Sequence, residues 1–181
     1  VDQLHTSEES QIETTTMAWV QRVVLGLNLC PFAHPVIKAG GLGVQVHSSS
    51  EISDVLTKAA QMMQDLASTD SDATSLLVLP NGFADFDDYL DLAAMSDALL
   101  EDLDLLGVVQ VATFHPDYQF EGSKPNDASN YTNRSPYPML HFLQEAAVEV
   151  AVAKHPDAES IPQRNIDLLE SMDRRELEQL V

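Results

Sequence analysis

Three constellations in this sequence carry side chains able to move protons, hold anions or ligate a metal. The first is His115-Pro116-Asp117-Tyr118. A proline disfavours helical backbone in the residue before it, so His115 continues the extended run that precedes it. Its ring then falls on the side of Val109 and Val111. An imidazole there can act as a general base, with Asp117 to orient it. The competing reading is a histidine whose ring nitrogens only anchor loop backbone. The second constellation runs Asn130-Tyr131-Thr132-Asn133-Arg134-Ser135-Pro136-Tyr137-Pro138 and leads to an expected helix start. The Arg134 fork and Ser135 hydroxyl beside unpaired amides suit a phosphate or carboxylate, with Tyr118, Asn130 and Asn133 as further substrate contacts. Alternatively, Arg134 pairs with a native carboxylate and the Asn side chains cap turns. In the third, His141, Glu145 and Glu149 stand four residues apart, one face of a helix. His115, His141 and Glu145 are the candidate metal ligands, although HExxH is absent and ordinary helix faces look the same.

The other reactive groups carry weaker signals. Cys30 is the one cysteine, which leaves no internal disulfide and no CxxC pair and fits a reducing compartment. It closely follows a helical pattern, and the negative end of a helix disfavours a thiolate, so a structural thiol is expected. Gly40-Gly41-Leu42-Gly43 has neither the dinucleotide nor the P-loop spacing. With no nucleotide-cofactor motif, a divalent metal is the open cofactor question.

Lys and Arg total 9 against 29 Asp and Glu, a net charge of −20 at pH 7. Without a basic stripe, the composition argues against a nucleic acid or membrane partner. A small anionic ligand would need a local positive spot in that field. No apolar run approaches the ~18 residues of a membrane helix, and the first residues do not read as a signal peptide. A cytoplasmic location is the expectation.

The elements that must position these groups follow from hydrophobic spacing. At 44% hydrophobic, the 181 residues can build one core. We expect a flexible stretch at 1–9 and a single α/β domain over 10–181. Ile12, Thr16, Trp19, Val20, Val23, Val24 and Leu27 trace a buried stripe on a helix from about Ser10 to Asn28, stopped by Pro31. Val44 to His47 reads as a short strand, followed by a helix to about Ala67 and a polar turn, Thr69 to Ala73. Ser75 to Leu79 and Val108 to His115 read as strands buried on both faces, with a helix from about Asp85 to Leu105 between them. Asp117 to Ser135 is a polar loop of unusual length, and Tyr118, Phe120 and Tyr131 argue that it is packed. Leu140, Leu143, Ala147, Val150 and Ala151 predict a helix from Pro138 to Lys154. Pro162 opens a last helix with Ile166 and Leu169 inward.

This order predicts an α/β fold: a three-stranded or slightly larger parallel or mixed sheet with flanking helices. The alternative is an α+β two-layer sandwich. With parallel strands, His47 with Ser48 to Ser50, Asn81, and His115 with Asp117 gather at the carboxyl edge, where open α/β sheets bind ligands.

Three stretches together resemble a known family. They are Trp19-Val20 through Gly26-Leu27-Asn28-Leu29-Cys30-Pro31-Phe32, then Gln110 to Phe120, then Asn130 to His141. The chain resembles the domain of unknown function family numbered 1415 over about Thr15 to Leu169. The resemblance implies a stand-alone bacterial cytoplasmic protein and carries no assigned activity. The family's signature falls here on Asn28, Cys30, Pro31, His115, Pro116, Tyr118, Asn130, Asn133, Arg134, Ser135 and His141. Glu121 departs from the family's small residue, and Gly40 to Ser50 diverges from it.

The leading expectation is a small-molecule enzyme, a hydrolase or group transferase, with an anion site at the sheet edge. His115 would move the proton, Asp117 would orient it, and Arg134 and Ser135 would hold the substrate. A non-catalytic ligand-binding or sensing protein is the alternative, and a metal-dependent hydrolase a further one. The enzyme reading predicts that His115→Ala abolishes turnover and keeps the fold; an active variant would remove the base. It also requires His115 and Arg134 to open onto one hollow.

Overall fold

The computed structural model describes residues 2–69 and 72–181, with side chains described from Ser7. Parts of two expectations, the flexible start at residue 1 and the polar turn at residues 70–71, lie outside the described residues. From Asp2 the chain is already helical: α1 spans Asp2–Trp19 and buries Ile12, Thr16 and Trp19. Its continuation, Val20–Leu25, widens to π-helical bonding, with the Gly26 N–H donating to the Gln21 carbonyl at 3.1 Å. Glycine is needed there, because a Cβ on Gly26 would lie 2.1 Å from the Arg22 carbonyl oxygen. Asn28 then turns the chain with φ 51°, in the left-handed region that Asn tolerates.

A short helix, α2 (Ala33–Lys38), precedes β1 (Leu42–Val46), α3 (Ile52–Ala67), β2 (Thr74–Val78), α4 (Phe86–Asp102) and β3 (Val109–Phe114). Apart from α2, which the sequence pattern does not anticipate, these boundaries match it to within a few residues. The region after the long loop does not. Where one helix from Pro138 to Lys154 was expected, Met139–Gln144 forms a strand, β4, and only Glu145–Lys154 is helical, as α5. The reason is tertiary. Leu140 and Leu143 fit a helical spacing, but Met139-Leu140-His141-Phe142-Leu143 also suits a strand covered on both faces. α6 (Ile161–Glu170) and α7 (Arg174–Glu178) close the chain.

The four strands form one mixed sheet in the order β1-β2-β4-β3. β1 and β2 pair in parallel, and β4 runs antiparallel to both β2 and β3. The carboxyl ends of β1, β2 and β3 therefore share an edge, as expected, and the start of β4 joins them there. The molecule is an α/β protein with helices on both faces of this sheet.

Alternation along the strands divides two cores. Leu77, Leu140, Phe142 and Val109 face α3 and α4, packing on Val55, Ala59, Met62, Met63 and Leu66 and on Tyr89, Leu92 and Leu100. Leu76, Val78 and Met139 face the other way, toward Trp19, Val20, Val23, Leu169 and Leu177. Tyr89 ties the layers together. Fully buried, its hydroxyl donates to the Met139 carbonyl at 2.7 Å and accepts from the Phe114 N–H at 3.1 Å. Burial pushes the phenol's pKa up, so the proton stays on. Tyr89→Phe strands a buried carbonyl and a buried N–H at the end of the β3–β4 pair. It should cost about 1–3 kcal/mol, read as a lower urea midpoint at unchanged slope.

Candidate functional site

At the carboxyl edge the expected polar groups do converge, but they bind one another. His115 is 0% exposed. Its Nδ1 accepts from the Asp117 N–H at 3.0 Å, which leaves Nε2–H to donate to the Phe83 carbonyl at 2.9 Å. That carbonyl belongs to a residue with φ 60°, costly for a bulky side chain, so the imidazole holds a strained turn in place. Phe86 and Tyr89 pack on the ring with centroids at 5.1 and 5.0 Å. Burial pulls the His115 pKa down, against weaker pulls from the Phe83 carbonyl and the Asp117 and Asp85 carboxylates. Asn81 donates to the Ser48 carbonyl at 3.1 Å, and Ser49 caps the following turn through the Glu51 N–H at 3.1 Å. His47 has a buried Nε2 with no partner among the described residues.

The long loop is locked in the same way. Asn130, 0% exposed, accepts from the Phe120 N–H and the Ser123 hydroxyl and donates to the Lys124 carbonyl. Asn133 donates to the Thr113 carbonyl at 3.0 Å and accepts the His115 N–H at 3.2 Å, sealing one end of the outer edge of β3. The buried Ser135 hydroxyl donates to the Tyr137 carbonyl. Tyr118 accepts from the Thr113 hydroxyl at 3.3 Å and packs on Phe86 and Phe120. Arg134 donates to the Tyr118 and Pro125 carbonyls at 3.3 and 2.7 Å and lies 4.5 Å over the Tyr131 ring.

Two consequences follow for the expected site. Arg134 and Ser135 lead into a strand, so the helix amides that were to assist them are not there. Arg134 lines a hollow with Asp85, Asp87 and Asp117, and His115 is not part of its wall. Three carboxylates around one guanidinium do not favour an anion. The metal trio also separates. His115 sits on the α4 side of the sheet, whereas His141 shares the opposite face with its register partners Leu76 and Ala112. Glu145 begins α5, and Glu149 is exposed. Among the described residues no three His, Cys, Asp or Glu side chains gather within reach of one ion.

The family model described as "Protein of unknown function (DUF1415)" matches residues 11–179. The chain belongs to that family. No curated protein and no solved structure matches it. The resemblance read from the three motifs is thereby supported, and among the described residues of this DUF1415 protein no helix is long and apolar enough to cross a membrane.

A second recess of the DUF1415 chain lies elsewhere, on the face of the sheet opposite α3 and α4. α1 and the π-helical turn cover only part of that face. Beside them Leu42, Thr74, Leu76, Ala112, Phe114, His141 and Leu143 floor a cleft of about 610 Å³. Trp19, Val20 and Val24 form one wall, Phe32, Val36 and Ile37 another, and Ala147, Val148 and Ala151 of α5 a third. α5 buries none of its own residues fully, and Val150 is 51% exposed. Cys30 is also in the lining. It precedes α2 as well as following the π-helical turn, so the Phe32 and Ala33 amides face its sulfur. Burial nevertheless dominates and pushes the thiol's pKa up.

His141 is the polar centre of the floor. It contacts the Thr74 hydroxyl, whose proton goes to the Phe142 carbonyl at 2.8 Å, so His141 Nε2 carries the hydrogen. Nδ1 is then the acceptor, without a protein partner among the described residues. Desolvation pulls the His141 pKa down to about 4.

Sequence spacing had placed His141 on a helix, and it missed two residues that shape this cleft. Asn165, 4% exposed, donates to the Leu29 carbonyl at 2.8 Å, and Arg164 donates to the Asn28 carbonyl. Both come from α6 and fix the turn that carries Cys30. Their only sequence signal was polar side chains on an otherwise amphipathic helix.

Two outcomes are expected. His115→Ala should lower stability by about 2–4 kcal/mol, because it opens a cavity and orphans the Phe83 carbonyl, with urea denaturation as the measurement. For His141, the unfolded chain takes up a proton near pH 6.5 and the folded chain only near pH 4. The folded state therefore loses stability as pH falls through that window, by on the order of 2–3 kcal/mol. His141→Leu should flatten this slope in parallel denaturation series from pH 7 to pH 4.

Proposed function

We propose that this DUF1415 protein binds a predominantly apolar small molecule in the cleft beside α1. The observation that carries this reading is the recess of about 610 Å³, walled by aliphatic and aromatic side chains, with the His141–Thr74 pair in its floor. That size and mixture suit a ligand of cofactor or metabolite dimensions, with the apolar lining giving affinity and one polar pair giving orientation. An open apolar floor has a cost in water, which a ligand would relieve. A hydrolase or transferase built on His115 is less well supported, since both ring nitrogens are engaged and Arg134 faces other carbonyls. The reading is therefore binding first, with the apolar lining as the main source of affinity.

Trp19, the one tryptophan of the chain, reports on the cleft. Titration with 1-anilinonaphthalene-8-sulfonate should give saturable, single-site binding with quenching of Trp19 emission. Ala147→Phe and Ala151→Phe fill the cleft from a lightly packed helix. They should weaken binding about tenfold or more without lowering the urea midpoint. Probe binding that both variants leave unchanged, or that never saturates, would place the ligand elsewhere.

A further inference from the structure

We infer that the ligand of this cleft is an amphiphile with an apolar body and a single carboxylate head, held at the mouth by Lys154 and His155. This rests on the binding reading above and adds the chemical class of the ligand. The chain has 9 cationic side chains against 29 carboxylates, so an anion is repelled unless it meets a cation with no internal partner. Among the described residues the ion pair within 4 Å is Arg174–Glu178, and Lys154 makes none. Arg134, Arg164 and Arg22 are engaged with backbone carbonyls.

Lys154 and His155 both line the cleft, where α5 ends. The His155 Nδ1 accepts from the Asp157 N–H at 3.2 Å, which leaves Nε2–H as a donor. Its ring meets Phe32, another cleft residue, edge to face at 5.7 Å. An ammonium and an imidazole N–H thus both belong to the lining of an otherwise apolar wall, donors that a carboxylate on a hydrocarbon or aryl body satisfies. Lys154 also meets the negative end of α5, a stabilising role that leaves its hydrogens free for a ligand. Asp72 is the carboxylate in the same lining, and it would favour an amine head instead.

Decanoate, decan-1-ol and decylamine share one body and separate these cases. Their dissociation constants are to be measured at pH 8 by calorimetry and Trp19 emission, on the native chain and on Lys154→Gln and His155→Gln. Decanoate should bind the native chain about fivefold tighter than decan-1-ol, and Lys154→Gln should remove that difference while leaving decan-1-ol binding unchanged. Equal binding of acid and alcohol, or tighter binding of the amine, would overturn the head-group assignment and leave the cleft as a binding site. An acid preference that survives both substitutions would also overturn it. Failure of all three probes to bind would remove the cleft reading and this assignment with it.

Discussion

The backbone hydrogen bonds that β4 makes on both sides are the constraint from which the rest of the molecule follows. β4 lies between β2 and β3 and runs against each. Without it β2 and β3 have no common neighbour, and the two cores lose the wall they share. A central strand must present alternate residues to opposite faces. Leu140 and Phe142 therefore go to the α3 and α4 layer, and Met139, His141 and Leu143 go to the α1 layer. That alternation sets a histidine into the floor of an apolar cleft. It also separates His141 from His115, which ends the neighbouring strand on the other face.

The carboxyl edge of the sheet illustrates how polar residues can converge without forming a reactive centre. Three loops arrive there, each with backbone groups that no ladder can satisfy. A buried carbonyl or N–H left without a partner costs more than a typical hydrogen bond gains. His115, Asn130, Asn133 and Ser135 supply the missing partners, one atom at a time, and are consumed in doing so. The strained backbone at Phe83 and the long loop after β3 are held by hydrogen bonds from these neutral side chains.

The opposite face is built on a different balance. α1 and its π-helical turn cover the end of the sheet near Met139 and Val78, and Asn165 with Arg164 fixes the chain as it leaves that turn. Beyond this point α2 and α5 stand at the sides of the sheet and leave its floor open. α5 is rich in Ala and Val yet fully buries none of its residues. A helix with so little of itself packed gains little stability from the core. A net charge of −20 opposes the approach of like chains to that apolar recess.

Sequence pattern by itself determined the α/β class: hydrophobic stripes marked α1 and α4, and short apolar runs bounded by turn residues marked β2 and β3, too short for helices and suited to strands covered on both faces. It also placed His115, Asn81 and the long loop at one sheet edge, since parallel strands must end together. The stretch from Met139 to Lys154 was not decidable in that way. Its apolar residues satisfy both a helical and an extended period, and the choice was made by the open hydrogen-bonding edges of β2 and β3. With that choice went the supposed helix start at Arg134 and the shared face of His141 and Glu145. Whether a polar side chain is free or already paired was likewise invisible, because partners such as the Phe83 carbonyl of His115 and the Phe120 N–H of Asn130 come near only in the folded chain. The cleft belongs wholly to the tertiary structure: it is the part of a sheet face that packing left uncovered, and no residue type announces a gap.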